Sequence, residues 1–199
     1  MSPEFWNERY KSDEYAYGEE PNEFFRRILD TLPPGKILLP QEGEGRNAVY
    51  AARKGWECHA FDISVEGMRK AVNLARKYAV SIHYTLGGYA DFQYEDASMD
   101  VVAFIFAHVT PEVRESYYHK ILKTLKPGGR VILEGFHKDQ LGRTSGGPQS
   151  LELLYSKEEL KADFRILHDK SIHRSDRVLD EGPYHQGEAA LIQMTGIKR

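Results

Sequence analysis

A glycine turn, an acid some twenty residues beyond it and a few histidines at the ends of apolar runs are the residues here whose types and spacing could do chemistry. Gly43-Glu44-Gly45-Arg46-Asn47-Ala48 fits the pattern G-x-G-x-x-G/A. Glycines after a strand let a ligand lie against bare backbone, and a helix N-terminus beside them offers unpaired N–H groups. Asp62 closes the next apolar segment, at the separation expected of an acid that accepts the hydroxyls of a ribose. Alone, Gly43 and Gly45 would make an ordinary tight turn. With a strand before them, a helix after them and Asp62 in place, they predict a nucleoside-binding turn.

The reacting groups should come from beyond the carboxyl ends of the strands, where ligands bind in open α/β sheets. His108 follows the apolar run Met99–Ala107 and is the leading candidate base, because an imidazole titrates near neutral pH and can take a thiol or selenol proton. His137 follows the run Arg130–Phe136 and is the second. Tyr17, in the aromatic opening segment, could face a cation, a contact that contributes roughly 0.5–2 kcal/mol. Glu134 reads either as a site group or as a buried, satisfied carboxylate, and Gln140, Tyr184 and His185 could reach in from two late loops. The bland alternatives are a helix cap or strand-end hydrogen bond for His108 and a solvated loop residue for His137. His59, His83, His119, His168 and His173 show no metal-ligand spacing, so no metal site is expected.

The elements that must position these groups alternate. Lys36–Leu39 and Glu57–Ile63 read as strands around a helix that stops near Gly55. Val65–Ala79 has one apolar face, Ser81–Thr85 is a short strand, and Met99–Ala107 is apolar throughout, as a parallel strand buried on both faces should be. Pro111 opens a further helix that closes at Lys126-Pro127-Gly128-Gly129, before a strand over Arg130–Phe136. The N-terminal segment predicts two helices, one capped at Ser2-Pro3-Glu4 and one over Pro21–Leu32. His137–Ser150 reads as a long mobile loop, and Ser156-Lys157-Glu158-Glu159 as a capping box. Phe164–Arg177 and Glu188–Ile197 form a closing antiparallel hairpin joined by a long connection over Asp180–Gly187. The expected fold is α/β: a single doubly wound, mostly parallel, Rossmann-like sheet of about seven strands with a C-terminal antiparallel hairpin. It divides into a helical lid segment (1–35), a cofactor-binding core (36–136) and a substrate-side loop with closing hairpin (137–199).

On Glu42-Gly43-Glu44-Gly45-Arg46-Asn47, Asp62, the strand start Met99-Asp100-Val101-Val102 and Leu125-Lys126-Pro127-Gly128-Gly129, the chain resembles the class I S-adenosylmethionine (SAM) methyltransferases over essentially its whole length. The opening, Phe5-Trp6-Asn7-Glu8-Arg9-Tyr10 with Tyr17-Gly18 and Pro21-Asn22, resembles the small tellurite-resistance and thiopurine-type branch. The resemblance implies SAM as cofactor, held by Gly43, Glu44, Gly45 and Asn47 at the methionyl part, Asp62 and Ile63 at the ribose, and Gly88 with Tyr89 near the adenine. Two positions depart from the family pattern: Leu39 stands where an acid is usual, and Gln41 where a glycine is.

Composition bounds the rest. A 199-residue chain with 41% hydrophobic residues can bury one core without staples. A net charge of −3 shows no basic excess and argues against nucleic acid as the main partner. The single cysteine, Cys58, suits a reducing cytoplasm and sits mid-strand as core filler, and no apolar run is long enough to span a membrane. The sequence therefore predicts a cytoplasmic, SAM-dependent methyltransferase of a small molecule (a thiol, a selenium or tellurium compound, or a small amine), as monomer or homodimer. A non-catalytic SAM- or nucleoside-binding module is the alternative.

Overall fold

The computed structural model describes residues 2–91 and 93–199. Five parallel strands, β1 (Lys36–Pro40), β2 (Glu57–Asp62), β3 (His83–Leu86), β4 (Met99–Ile105) and β5 (Leu125–Phe136), share one sheet with β6 (Leu167–Asp180) and β7 (Gln186–Lys198). The order is β3-β2-β1-β4-β5-β7-β6, with β7 antiparallel to both its neighbours. Strand order reverses between β1 and β4, and that switch point opens a crevice at the carboxyl ends of those two strands. The expected sheet with its terminal hairpin is the sheet observed.

The helices cover both faces. They are α1 (Pro3–Tyr10), α2 (Glu23–Leu29), α3 (Arg46–Arg53), α4 (Val65–Lys77), α5 (Pro111–Thr124) and α6 (Lys157–Asp163). Successive strand residues point to opposite faces, and the core divides accordingly. Leu38, Val102 and Phe104 pack with Tyr117, Tyr118, Ile121 and Leu122 of α5 on one side. Ile37, Leu39, Val101 and Ala103 pack with Phe24, Phe25, Leu29, Ala48 and Ala51 on the other. Cys58 is buried there too, and burial pushes its thiol far up, as core filler requires.

Local caps set the helix boundaries. Ser2, Asn22 and Ser64 each accept a backbone N–H at the start of α1, α2 and α4, and Ser156 with Glu159 forms a complete capping box on α6. α2 is shorter than the Pro21–Leu32 expected, because Asn22 is its cap rather than an interior residue. β4 stops at Ile105, since Phe106 takes a left-handed backbone (φ 53°) that ends the ladder. β6 and β7 run into the stretch expected as a long connection and leave only Glu181–His185 between them. His137–Ser150, expected as a mobile loop, is anchored instead. The buried Gln140 amide donates to Ser145 Oγ and to Gly146 O (2.9 Å each) and accepts from Ala190 N (2.8 Å).

A candidate cofactor and acceptor site

The turn after β1 is built around three carboxylates. Glu42 folds back on the first turn of α3, accepting from the backbone N–H of Asn47 and of Ala48 (2.8 Å each) and from the Asn47 side-chain amide (3.3 Å). Desolvation raises its carboxyl to about 7, against the pull of those hydrogen bonds. The anion position at this helix N-terminus is therefore filled by the chain's own carboxylate. A pyrophosphate placed there would find the Asn47 and Ala48 N–H groups already taken, which sets the turn apart from a dinucleotide fold.

Glu44, the second acid, is buried. It pairs with the buried Lys70 Nζ (2.5 Å) and accepts from Ala16 N (3.2 Å), while Lys70 also donates to Ser12 O (2.8 Å) and Glu14 O (2.7 Å). This pair ties the segment after α1 to α4. Glu44 Oε2 is left buried without a partner.

Asp62, the third, ends β2 with Oδ2 accepting from Gly43 N (3.1 Å) and Oδ1 from Ser64 N (2.9 Å). It is nearly buried, and desolvation lifts it to about 6 despite these donors. A buried carboxylate with unused acceptor capacity is suited to the hydroxyls of a ribose.

The two glycines have separate reasons. Both take left-handed backbone (φ 62° at Gly43, 86° at Gly45). A Cβ on Gly45 would lie 2.5 Å from Ala71 Cβ of α4, so Gly45 permits the close approach of two helices. A Cβ on Gly43 would lie 2.6 Å from Tyr10 Oη, so α1 covers the turn directly. Gly43 O accepts from Tyr84 Oη (2.6 Å). Ile63 approaches Gly88, whose added Cβ would sit 3.6 Å from Ile63 Cγ2, and Tyr89 packs edge-on against Tyr117. The residues expected around a ribose and an adenine thus lie side by side at the ends of β2 and β3.

The two departures have local explanations. Leu39 is fully buried among the apolar side chains of the α2–α3 layer, where an acid would have no partner. Gln41 keeps the backbone of the glycine it replaces (φ 55°) and accepts from Tyr117 Oη (3.0 Å).

Past β4 the histidines part company. His108 is buried with both ring nitrogens engaged: Nδ1–H donates to Leu153 O (2.7 Å), and Nε2 accepts from Phe136 N (3.2 Å). Desolvation lowers it to about 4. The lone pair of Nε2 already holds a backbone N–H, so in this geometry His108 is placed as a strut between loops. His137 caps a 3-10 turn at Lys138–Gln140 by accepting from Asp139 N (3.1 Å).

His185 stands differently. It is buried with its ring 4.4 Å from that of Tyr17 and 4.5 Å from that of Phe106, and Phe136 lies at 5.3 Å. Its Nδ1 has no hydrogen-bond partner and lies 3.5 Å from Glu181 Oε2. Desolvation holds the imidazole below its usual value, against the opposing pull of Glu181. Burial alone would raise Glu181, but Arg46 and His185 pull it down to about 2.

Glu181 belongs to a network that sequence spacing gave no means of finding. Arg46 and Arg177 both donate to it at 2.8 Å, Arg46 also donates to Tyr17 O (3.0 Å), and Asn22 Nδ2 donates to the buried Glu134 (2.6 Å). Gln193 donates to the other oxygen of Glu134, so Glu134 is a satisfied carboxylate, the blander of its two readings. Its partners come from positions more than fifty residues distant, joined only by folding. Tyr17 closes the group, its hydroxyl accepting from Arg9 (3.0 Å), whose guanidinium also lies over the Tyr184 ring.

Three comparisons bear on this geometry. A family model described as a methyltransferase domain matches residues 41–129, the span from the glycine turn to the start of β5. A thiopurine S-methyltransferase of Vibrio atlanticus is 21% identical over 184 residues, 83% of each chain. Among solved structures, a SAM-dependent methyltransferase of Methanosarcina mazei superposes with a TM-score of 0.72 at 15% identity, over 90% of this chain and 98% of that one. A protein solved in work on the conversion of a disulfide bond into a thioacetal group during echinomycin biosynthesis superposes at 0.76 and 13% identity, over 98% and 92%. A carboxylate-lined turn at the switch point, the strand order and these matches agree: residues 41–129 match a methyltransferase domain, and the chain as a whole has the fold of the S-adenosylmethionine-dependent methyltransferases.

Proposed function

We propose that the protein methylates a small, soft nucleophile, a thiol or a related chalcogen, with Glu181 and His185 serving as an oriented base. The observation that carries this reading is the buried His185 with an unpaired Nδ1 beside an ionised Glu181, walled by Tyr17 and Phe106. The sulfur chemistry of the Vibrio relative supports the acceptor class.

SAM, when bound, supplies an electrophilic methyl group on a positively charged sulfur. In this reading Gly43, Gly45 and Asn47 hold its methionyl part, Asp62 and Ile63 its ribose, and Gly88 with Tyr89 its adenine. An acidic turn with its anion position already filled suits a cationic cofactor that has no phosphate. Glu181 keeps the Nδ1 proton of His185, which leaves Nε2 to accept the acceptor's S–H proton. Tyr17 and Phe106 exclude water around the resulting thiolate, and alignment contributes the remainder, since the leaving group needs no protonation.

The test follows S-adenosylhomocysteine release with small thiols, selenols and amines as acceptors. His185→Gln should lower kcat by on the order of 10²–10⁴ with thiol acceptors while S-adenosylhomocysteine affinity holds. Wild-type turnover of amines only, or full thiol activity in His185→Gln across pH 6–9, would reject the assignment. Cofactor binding without transfer to any acceptor would favour the non-catalytic module instead.

A further inference from the structure

Away from the crevice, the sheet assembles three groups that the sequence keeps apart. Glu57 and His59 are two residues apart on β2 and share a face, and His83 on β3 is the direct register partner of His59. The two imidazoles stack with ring centroids 4.8 Å apart and 16° between planes. His59 Nε2 lies 3.0 Å from Glu57 Oε1. One donor atom from each of the three residues falls within 4.8 Å of the others, an arrangement found at no other place among the described residues. Spacing along the chain, on which no metal site was expected, does not record this pairing across strands.

We propose that Glu57, His59 and His83 form a surface site for a divalent transition metal, zinc by the ligand set, which clamps the edge strand β3 to β2. Two imidazoles and one carboxylate suit zinc, with water completing the shell. Bonds of about 2.1 Å place tetrahedral ligands about 3.4 Å apart. The 3.0 Å pair is close to that already, and the wider separations close by rotation of side chains that are exposed or half-buried. Glu57 now accepts from Lys36 Nζ (3.0 Å), so the carboxylate already serves a cation and retains a second oxygen. The cost of ordering these side chains is small, because β2 and β3 fix both backbones.

The clamp has a structural target. β3 is four residues long and pairs with β2 alone. Its C-terminal end leads into Gly87 and Gly88, and Gly87 N donates to Asp62 O (2.8 Å). A metal that binds only the folded sheet therefore stabilises the strand leading to the wall beside Ile63.

Calorimetry on tag-free, chelator-stripped protein titrated with zinc chloride, with cobalt(II) absorption as a second readout, tests this. One equivalent should bind, and His59→Ala and His83→Ala should each weaken it at least tenfold. Zinc at a hundred times its Kd should raise the Tm by roughly 5–10 °C in wild type and not in either variant. His168→Ala, a change elsewhere on the surface, should behave as wild type. Melting in chelator reports whether each variant is folded, and His83→Gln replaces His83→Ala if that variant is not. No saturable binding, or zinc affinity unchanged in His59→Ala and in the folded His83 variant, would overturn the site.

Discussion

Asp62 and His108 show how burial assigns work to single residues. With its carboxyl lifted to about 6, Asp62 is partly protonated in mildly acid solution, and a ribose donating to it favours the ionised form. Affinity for S-adenosylhomocysteine should therefore fall as pH drops below about 6, by up to about tenfold per unit. Asp62→Asn should flatten that profile, and Asp62→Ala should weaken binding about ten- to a hundredfold at pH 7.5, or roughly 1.5–3 kcal/mol, by calorimetry. His108 is expected to matter for stability, not turnover. Its folded pKa lies below that of an unfolded histidine, so the unfolded chain binds more protons between pH 4 and 6.5. Stability from this residue is present above pH 6.5 and lost as pH falls through that window, about 2 kcal/mol of it by pH 5. Urea unfolding should thus show His108→Gln less acid-sensitive than wild type by about that amount. A kcat loss matching that of His185→Gln would return His108 to the reaction.

At the scale of elements, the segment joining α1 to α2 is held at two points. Lys70 pins it from α4 and Glu44 from the glycine turn, and the β6–β7 turn clasps it from the other side: Tyr184 N donates to Ala16 O (3.2 Å). Gly182 makes that approach possible. It has φ 72°, and an added Cβ would lie 2.7 Å from Tyr17 C and 2.8 Å from Ala16 O. Lys70→Met strips a buried carboxylate of its charge partner and should cost about 3–5 kcal/mol in urea unfolding. Adding Glu44→Gln should restore part of that loss, because the uncompensated charge is then gone. If the double variant is no more stable than Lys70→Met, the cost lies in packing rather than charge.

Taken as one object, the molecule has its crevice covered. Tyr10 lies over Gly43, and Tyr17 packs against Tyr10, Tyr184 and His185, with His185 against Phe106 just past β4. Ligand entry in the proposed reading requires α1 and the Tyr15–Gly18 segment to lift, as lids do on slower timescales than side chains. Hydrogen exchange should show Tyr15–Gly18 amides slowed by S-adenosylhomocysteine while the anchored Gln140 region changes little. Equal protection with and without ligand would remove the lid.

What the chain determined without its fold was everything carried by local pattern. Alternating apolar runs specified the strands, Ser2 and Ser156 marked helix starts, and Gly43, Gly45 and Asp62 marked a candidate binding turn, because backbone freedom and strand-end position are local properties. The tertiary structure decided which side chains meet. Asn22 reaches Glu134, Arg46 reaches Glu181 and His83 faces His59 only because the sheet brings distant segments into contact. Whether a histidine is a base or a strut depends on whether its lone pair is already filled. Leu153 and Phe136 occupy both ring nitrogens of His108, and no spacing along the chain records it.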